Sequence, residues 1–192
     1  MVTINTDLPE SQRCCFIGQN MRQAGRTAAQ VTSMLLEDKK QIAIFTASNS
    51  SRFGQERVQG FEDYAQEKGS MCIAGVVETN EQPDIMYSEA KRFLKENPDI
   101  GAFYITCGCV SDAARAVAEE ERDIRIICYD SFPENKSLMR QGMIDCIIDQ
   151  ELESQGEEAI QLLFQELIKG KQIRVTKQYM PIEIHIQENI DY

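Results

Sequence analysis

The stretch Ile124-Arg-Ile-Ile-Cys-Tyr-Asp-Ser-Phe-Pro-Glu134, read with Cys146-Ile-Ile-Asp-Gln150 downstream, decides the fold. A β-branched apolar run delivers Asp130 at its carboxyl end, Ser131, Phe132 and Pro133 make a turn, and a helix starts. In an open α/β sheet, a carboxylate in that position faces the ligand crevice beyond the strand ends. An Asp can also stand there only to cap the next helix, so the rest of the chain carries the argument.

Outward from this stretch, strand-like and helix-like segments alternate with short connections. Strands are expected over residues 2–5, 14–17, 42–45, 72–77, 102–105, 124–129 and 144–148. Helices are expected over 21–36, with Asn20 as cap, and over 55–68, 85–96, 111–121, 134–141 and 155–169. Residues 175–186 alternate loosely and read as one or two closing strands divided by Pro181. Strands separated by helices of this length pair in parallel through crossovers. The expected architecture is α/β, a doubly wound parallel sheet.

Composition narrows the function classes. The chain has 192 residues, 42% apolar and 27% charged, which suits one large domain or two small lobes. Its net charge of −11 argues against a direct grip on nucleic acid, which needs clustered Lys and Arg. No apolar run reaches the roughly 18 residues a membrane span needs, so no membrane partner is expected. The start Met1-Val-Thr-Ile-Asn5 does not resemble a signal peptide. Seven cysteines, an odd number and mostly in apolar runs, fit a reducing cytoplasmic compartment. Cys107-Gly-Cys109 is too tight for zinc, so neither metal nor cofactor is expected.

Catalytic signatures are lacking. There is no Gly-x-Gly-x-x-Gly, Walker-type loop or Gly-x-Ser-x-Gly elbow. The single histidine, His185, reads as a structural strand residue, and Cys107 and Cys109 have no histidine near in sequence. A binding protein is expected, not an enzyme.

The candidate ligand-binding residues are Asn5, Asp7, Asn20, Arg57, Thr106, Asp130 and Gln150, each at a strand end, in the loop after it, or on the next helix. Residues 48–52 form a polar loop leading to Arg57. Such groups bind neighbouring hydroxyls bidentately, which suits a polyol or sugar. Each also has a plainer reading. Asn20 and Asp130 can cap helices, residues 48–51 can be an ordinary loop, and Arg57 can be a surface ion-pair residue.

Six stretches, the opening ones among them, carry a resemblance. Val2-Thr-Ile-Asn-Thr-Asp-Leu-Pro9, Phe16-Ile-Gly-Gln-Asn20 with Ala24-Gly-Arg26, and Gln55-Glu-Arg-Val-Gln-Gly-Phe61 come first. Asn97-Pro-Asp-Ile-Gly-Ala-Phe103, Ile126-Ile-Cys-Tyr-Asp130 with Ile147-Ile-Asp-Gln150, and Leu167-Ile-Lys-Gly170 follow in order. Together they resemble the type 1 periplasmic-binding-protein fold over essentially the whole chain. That fold serves the effector domains of lactose-repressor-type transcription regulators and the sugar receptors of transporters. The resemblance implies a cleft lined by Asn5, Arg57, Thr106, Asp130 and Gln150, on which two lobes close. Asn5 stands where an Asp is common, Thr106 where an Asn is common, and Cys107-Gly-Cys109 replaces a polar or Gly-rich turn.

By the same resemblance the first lobe is incomplete, with residues 1–17 and 148–171 as its remnants. Residues 18–147 and 172–192 form the second lobe. Weak or no sugar binding by the isolated chain and an exposed apolar flank that favours self-association follow. The favoured function is the effector-binding and dimerisation region of a cytoplasmic regulator. It takes a small-molecule effector, a sugar, and reaches DNA only through an N-terminal helix-turn-helix outside this chain. The alternative is a fragment of a transporter's sugar receptor.

Overall fold

The computed structural model describes residues 1–36, 41–48, 52–69 and 71–191. The chain divides into two compact units, Met1–Asn20 with Gln150–Glu183, and Met21–Asp149 with Ile184–Tyr192.

The larger unit is built on β3 (Gln41–Thr46), β4 (Cys72–Glu78), β5 (Ile100–Ile105), β6 (Arg125–Tyr129), β7 (Cys146–Asp149) and β9 (Glu183–His185), in the sheet order β4-β3-β5-β6-β7-β9. The pairs β3/β4, β3/β5, β5/β6 and β6/β7 are parallel. Strands β5 and β7 are buried along their whole length. Covered on both faces, they are continuously apolar rather than alternating.

Side chains still divide between the faces with period two. Ala43, Phe45, Phe103, Ile126 and Cys128 join the main core cluster, which includes residues of α3 (Pro83–Glu96), α4 (Val110–Ala118) and α5 (Pro133–Arg140). Phe45 meets Phe93 and Phe103 edge-on, with ring centroids 6.0 and 5.0 Å apart. The opposite set, including Ile44, Tyr104 and Tyr129, belongs to the face of α1 (Met21–Leu35) and α2 (Arg52–Lys68), where Phe61 of α2 stacks on Tyr104. Helix α3 begins two residues earlier than its apolar pattern suggests, because Pro83 has the φ of a first helical turn and needs no N–H partner.

Helices α1 and α2 cross in backbone contact. A Cβ added at Gly25 would lie 2.0 Å from the Arg57 carbonyl oxygen, and one at Gly60 would lie 2.0 Å from that of Arg22. Two glycines therefore set the interhelical distance, and with it the position of Arg57. Ion pairs Arg22–Asp63 and Arg26–Glu67, each at 2.6 Å, flank the crossing.

The smaller unit holds β1 (Val2–Ile4), β2 (Cys15–Gly18) and β8 (Lys177–Tyr179), paired in parallel in the order β1-β2-β8, and α6 (Leu152–Leu167). The two closing strands thus enter different sheets on either side of Pro181: β8 pairs with β2, and β9 lies beside β7. Residues 172–183, grouped in the sequence with the second lobe, cluster with the smaller unit through that β2/β8 pairing. The core of this unit is small, with Cys15, Ile17 and Ala159 buried at its centre. Among the described residues no helix is long and apolar enough to cross a membrane.

Candidate functional site

The larger sheet reverses its winding between β3 and β5. From β3 the chain crosses to β4 on one side, then passes over to β5 on the other. Crevices at such reversals, beyond the carboxyl ends of the strands, are where open α/β sheets bind ligands. Thr46 ends β3, Thr106 follows β5, and both are buried.

Arg57 reaches this point from α2. It is 1% exposed, its Nη1 donates to the Thr106 carbonyl at 3.1 Å, and its guanidinium carbon sits 3.4 Å from the Tyr129 ring centroid. The reading of Arg57 as a surface ion-pair residue therefore gives way to a buried cation stacked on an aromatic face. Beneath it the Tyr129 hydroxyl lies 2.9 Å from that of Tyr104, and Tyr104 stacks on Phe61 with centroids 4.6 Å apart. Burial pushes the Tyr104 phenol well up and the Tyr129 phenol up, although Arg57 opposes both. The phenols thus stay neutral at physiological pH.

Asp130 follows β6 in a left-handed conformation, φ 67°. That is an uncommon backbone for a non-glycine residue and is held here from three sides. The Asp130 N–H donates to the Ile148 carbonyl at 3.1 Å. Asn135, buried on α5, donates through Nδ2 to the carbonyls of Asp130 at 2.9 Å and of Tyr129 at 3.2 Å. The next amide, Ser131 N–H, donates to Asp149 Oδ2 at 3.2 Å. The cap position of α5 is Phe132, with Pro133 in the first turn, so Asp130 stands outside the cap. Thr106 donates its hydroxyl to the Phe45 carbonyl at 3.2 Å, which leaves its oxygen lone pairs as acceptors.

Asn5, Asp7, Asn20 and Gln150 lie in the smaller unit. Asn5 is also left-handed, φ 62°, and its amide donates to Gln155 Oε1 at 2.9 Å, while Gln155 Nε2 donates to the Gln150 carbonyl at 2.7 Å. Gln155 thereby ties the two candidate residues together through their backbones. Asn5 Oδ1 is buried and has no hydrogen-bond partner among the described residues. Asp7 is committed elsewhere: Arg13 grips its carboxylate with two nitrogens, and Lys177 stands 3.7 Å away. Asn20 is exposed immediately before α1. Of the polar loop after β3, residues 49–51 and the side chain of Arg52 lie outside the described residues.

Four residues at these sites were not singled out in the sequence. They are Thr46, whose buried hydroxyl has no hydrogen-bond partner among the described residues, and Asn135, Asp149 and Gln155. Asp149 was quoted only as part of the strand-end run. His185 Nε2 lies 4.0 Å from Asp149 Oδ2, which gives the histidine a place in β9 beside the strand-end carboxylate.

All seven cysteines are free thiols. Burial pushes Cys107 from the ordinary 9.0 to about 11 and Cys146 to about 12. The unfolded chain therefore sheds these protons first, and folding stability falls as pH rises from about 9 towards 12. The slope is about 1.4 kcal/mol per pH unit for each such thiol. Urea unfolding between pH 8 and pH 11 should show this decline, and Cys146→Ser should shrink it. At neutral pH a thiol reagent should reach the exposed Cys72 and leave Cys128 and Cys146 unmodified until urea is added.

A doubly wound sheet with a buried, stacked arginine and a left-handed aspartate past its strand ends is an arrangement in which open α/β sheets bind ligands. The chain belongs to the family of periplasmic binding protein domains, whose sequence model matches residues 1–172. Among solved structures, the glucose-galactose binding protein GanP of Geobacillus stearothermophilus is 28% identical, with a TM-score of 0.89 over 98% of this chain and 68% of that one. A Bacteroides fragilis protein provisionally assigned to the LacI transcriptional regulators is 26% identical, with a TM-score of 0.85 over 100% of this chain and 68% of that one. The sugar-binding protein of a Bacillus halodurans sugar ABC transporter, 23% identical, shares the fold at a TM-score of 0.92 over 100% of this chain and 70% of that one. No curated protein matches the sequence significantly.

Proposed function

We propose that this chain is the effector-binding region of a cytoplasmic, lactose-repressor-type transcription regulator and that its effector is a sugar. Binding, not catalysis, is its activity. Arg57, Thr106 and Asp130 are the proposed ligand contacts of the larger unit, and Asn5 and Gln150 are proposed separately as those of the smaller unit. An arginine fork, a carboxylate and side-chain amides match the paired hydroxyls of a pyranose or furanose. Ligand binding would favour one conformation over another and so alter DNA-binding heads carried outside this chain.

The observation that carries the regulator reading is the set of seven free thiols, several of them in the core. Such usage suits a reducing compartment. A second reading, the receptor of a sugar transporter, is favoured by the likeness to GanP.

Two measurements on the native protein test this. Its mass and N-terminal sequence in its own cells should reveal a helix-turn-helix extension; a lipidated or leader-cleaved product outside the cell membrane would establish the receptor instead. Calorimetric titration with common pentoses and hexoses should find one that binds saturably. Asp130→Ala should then raise its Kd about 100-fold, the worth of one charged hydrogen-bonding group. Saturable binding indifferent to Asp130→Ala would remove these residues from the site.

A further inference from the structure

The run Cys107-Gly-Cys109 leaves β5 beside the turn Thr79–Glu81, and both thiols donate to that turn. The Thr79 hydroxyl gives its one proton to the Thr46 carbonyl at 3.2 Å. In its 3.4 Å contact with Cys107 Sγ it is therefore the acceptor, and the thiol is the donor. Cys109 Sγ donates to the Glu81 carbonyl at 3.3 Å. Three non-glycine residues meet here in left-handed conformations: Asn80 at φ 50°, Glu81 at φ 54° and Cys109 at φ 62°. Such backbone is costly and persists only where its surroundings hold it. The Thr79 and Asn80 N–H groups hold one side of the turn, donating to the Thr46 and Ala47 carbonyls, each at 2.8 Å. The two thiols hold the other.

The same pair is placed to become a disulfide. Two α-carbons separated by one residue are never more than about 7.5 Å apart, and a disulfide spans about 4.4–6.8 Å. Gly108 between them is exposed, and a Cβ there would meet nothing nearer than Glu81 Oε1 at 3.7 Å, so the run has room to close. The other thiols of this unit do not compete. Cys128 and Cys146 are 0% exposed, and Cys72 begins β4, at the opposite end of the sheet. A disulfide carries no S–H. Closing it removes both donors to the 79–81 turn at once, whatever the conformation of the ring.

We propose that Cys107 and Cys109 are a redox-active dithiol, which small disulfides of the glutathione class close into a Cys107–Cys109 bond, releasing the Thr79–Glu81 turn. The Cys109 thiolate first attacks one sulfur of the small disulfide, forming a mixed disulfide and expelling one glutathione thiolate. The Cys107 thiolate then attacks Cys109 Sγ and expels the second. The two protons of the protein thiols end on the two released glutathiones, so the exchange balances. Reversible pairs of this kind are compatible with a reducing compartment. The proposal does not rest on the ligand reading and stands if no sugar binds.

Incubation of the full chain with oxidised glutathione, then alkylation and peptide mapping by mass spectrometry, tests it. Cys107 and Cys109 should both become closed to alkylation and appear as one linked pair about 2 Da lighter than the two thiols, and dithiothreitol should reverse this. Amide hydrogen exchange over residues 79–82 should be about tenfold faster or more in the oxidised chain, and unchanged over β6 and β7. Cys109→Ser keeps a hydroxyl that can donate to the Glu81 carbonyl, so it should hold the turn and show neither change. A pair that stays open to alkylation at equilibrium, a mapped disulfide to Cys72, or exchange at 79–82 indifferent to oxidation would each overturn the proposal.

Discussion

Gly25→Ala should lower the unfolding free energy by about 3 kcal/mol or more, because the new methyl group meets backbone and not a movable side chain. The Cβ would sit 2.0 Å from the Arg57 carbonyl oxygen. A real contact needs more than an ångström beyond that, so α1 and α2 must separate along the crossing and lose packing around it. Gly60→Ala is expected to cost a similar amount, since its Cβ meets the Arg22 carbonyl at 2.0 Å. The two are not independent. Once one methyl has pushed the helices apart the second has room, so the double variant should lose clearly less than the sum of the singles. Urea denaturation of the three variants checks both claims; additive losses would mean the crossing does not act as one unit. The ligand site should respond as well, because Arg57 is carried on the displaced segment.

Arg57→Met should leave the chain as stable as the parent or more so, whereas Arg57→Ala should destabilise it by about 2–5 kcal/mol. The guanidinium is 1% exposed and lies 3.4 Å over the Tyr129 ring. Cation–π attraction returns about 2 kcal/mol when desolvated, while removing a cation from water costs several kcal/mol. Methionine keeps most of the volume and removes the charge; alanine leaves a cavity between Tyr129 and Thr106, whose carbonyl loses its Nη1 donor. Thermal unfolding of both variants separates packing from charge. A methionine variant several kcal/mol less stable than the parent would show that the arginine serves the fold. A stable one that no longer takes up ligand would show that it is held there for binding.

Element order was legible because the local signals agree. Apolar runs of four to six residues alternate with amphipathic stretches that end at Gly69, Asn97-Pro98, Gly142 and Gly170, and each segment became the element its period implies. Asp130 was legible because a strand end is a place defined in the sequence. Its left-handed backbone was not. That conformation depends on Asn135 five residues on and Asp149 nineteen residues on, and sequence pattern does not report which polar residue turns inward. Asn135 reads there as an ordinary first-turn helix residue, and Gln155 as one more polar residue at the start of α6. Asp7 shows the converse: it occupies a plausible site position, yet Arg13 is its partner.

The order of residues along the chain specifies the parallel α/β architecture and the positions of the polar residues at strand ends. These depend on backbone periodicity and nearest neighbours along the chain. Only the tertiary structure decided that Arg57 is a buried cation on Tyr129, that Gly25 and Gly60 bring two helices into backbone contact, and that β8 and β9 part into different sheets. It also decided that Ile160, Phe164 and Leu167 of α6 are exposed. Burial and pairing belong to residues far apart in the chain, and the free energy that selects among polar side chains comes from what surrounds each one after the chain has folded.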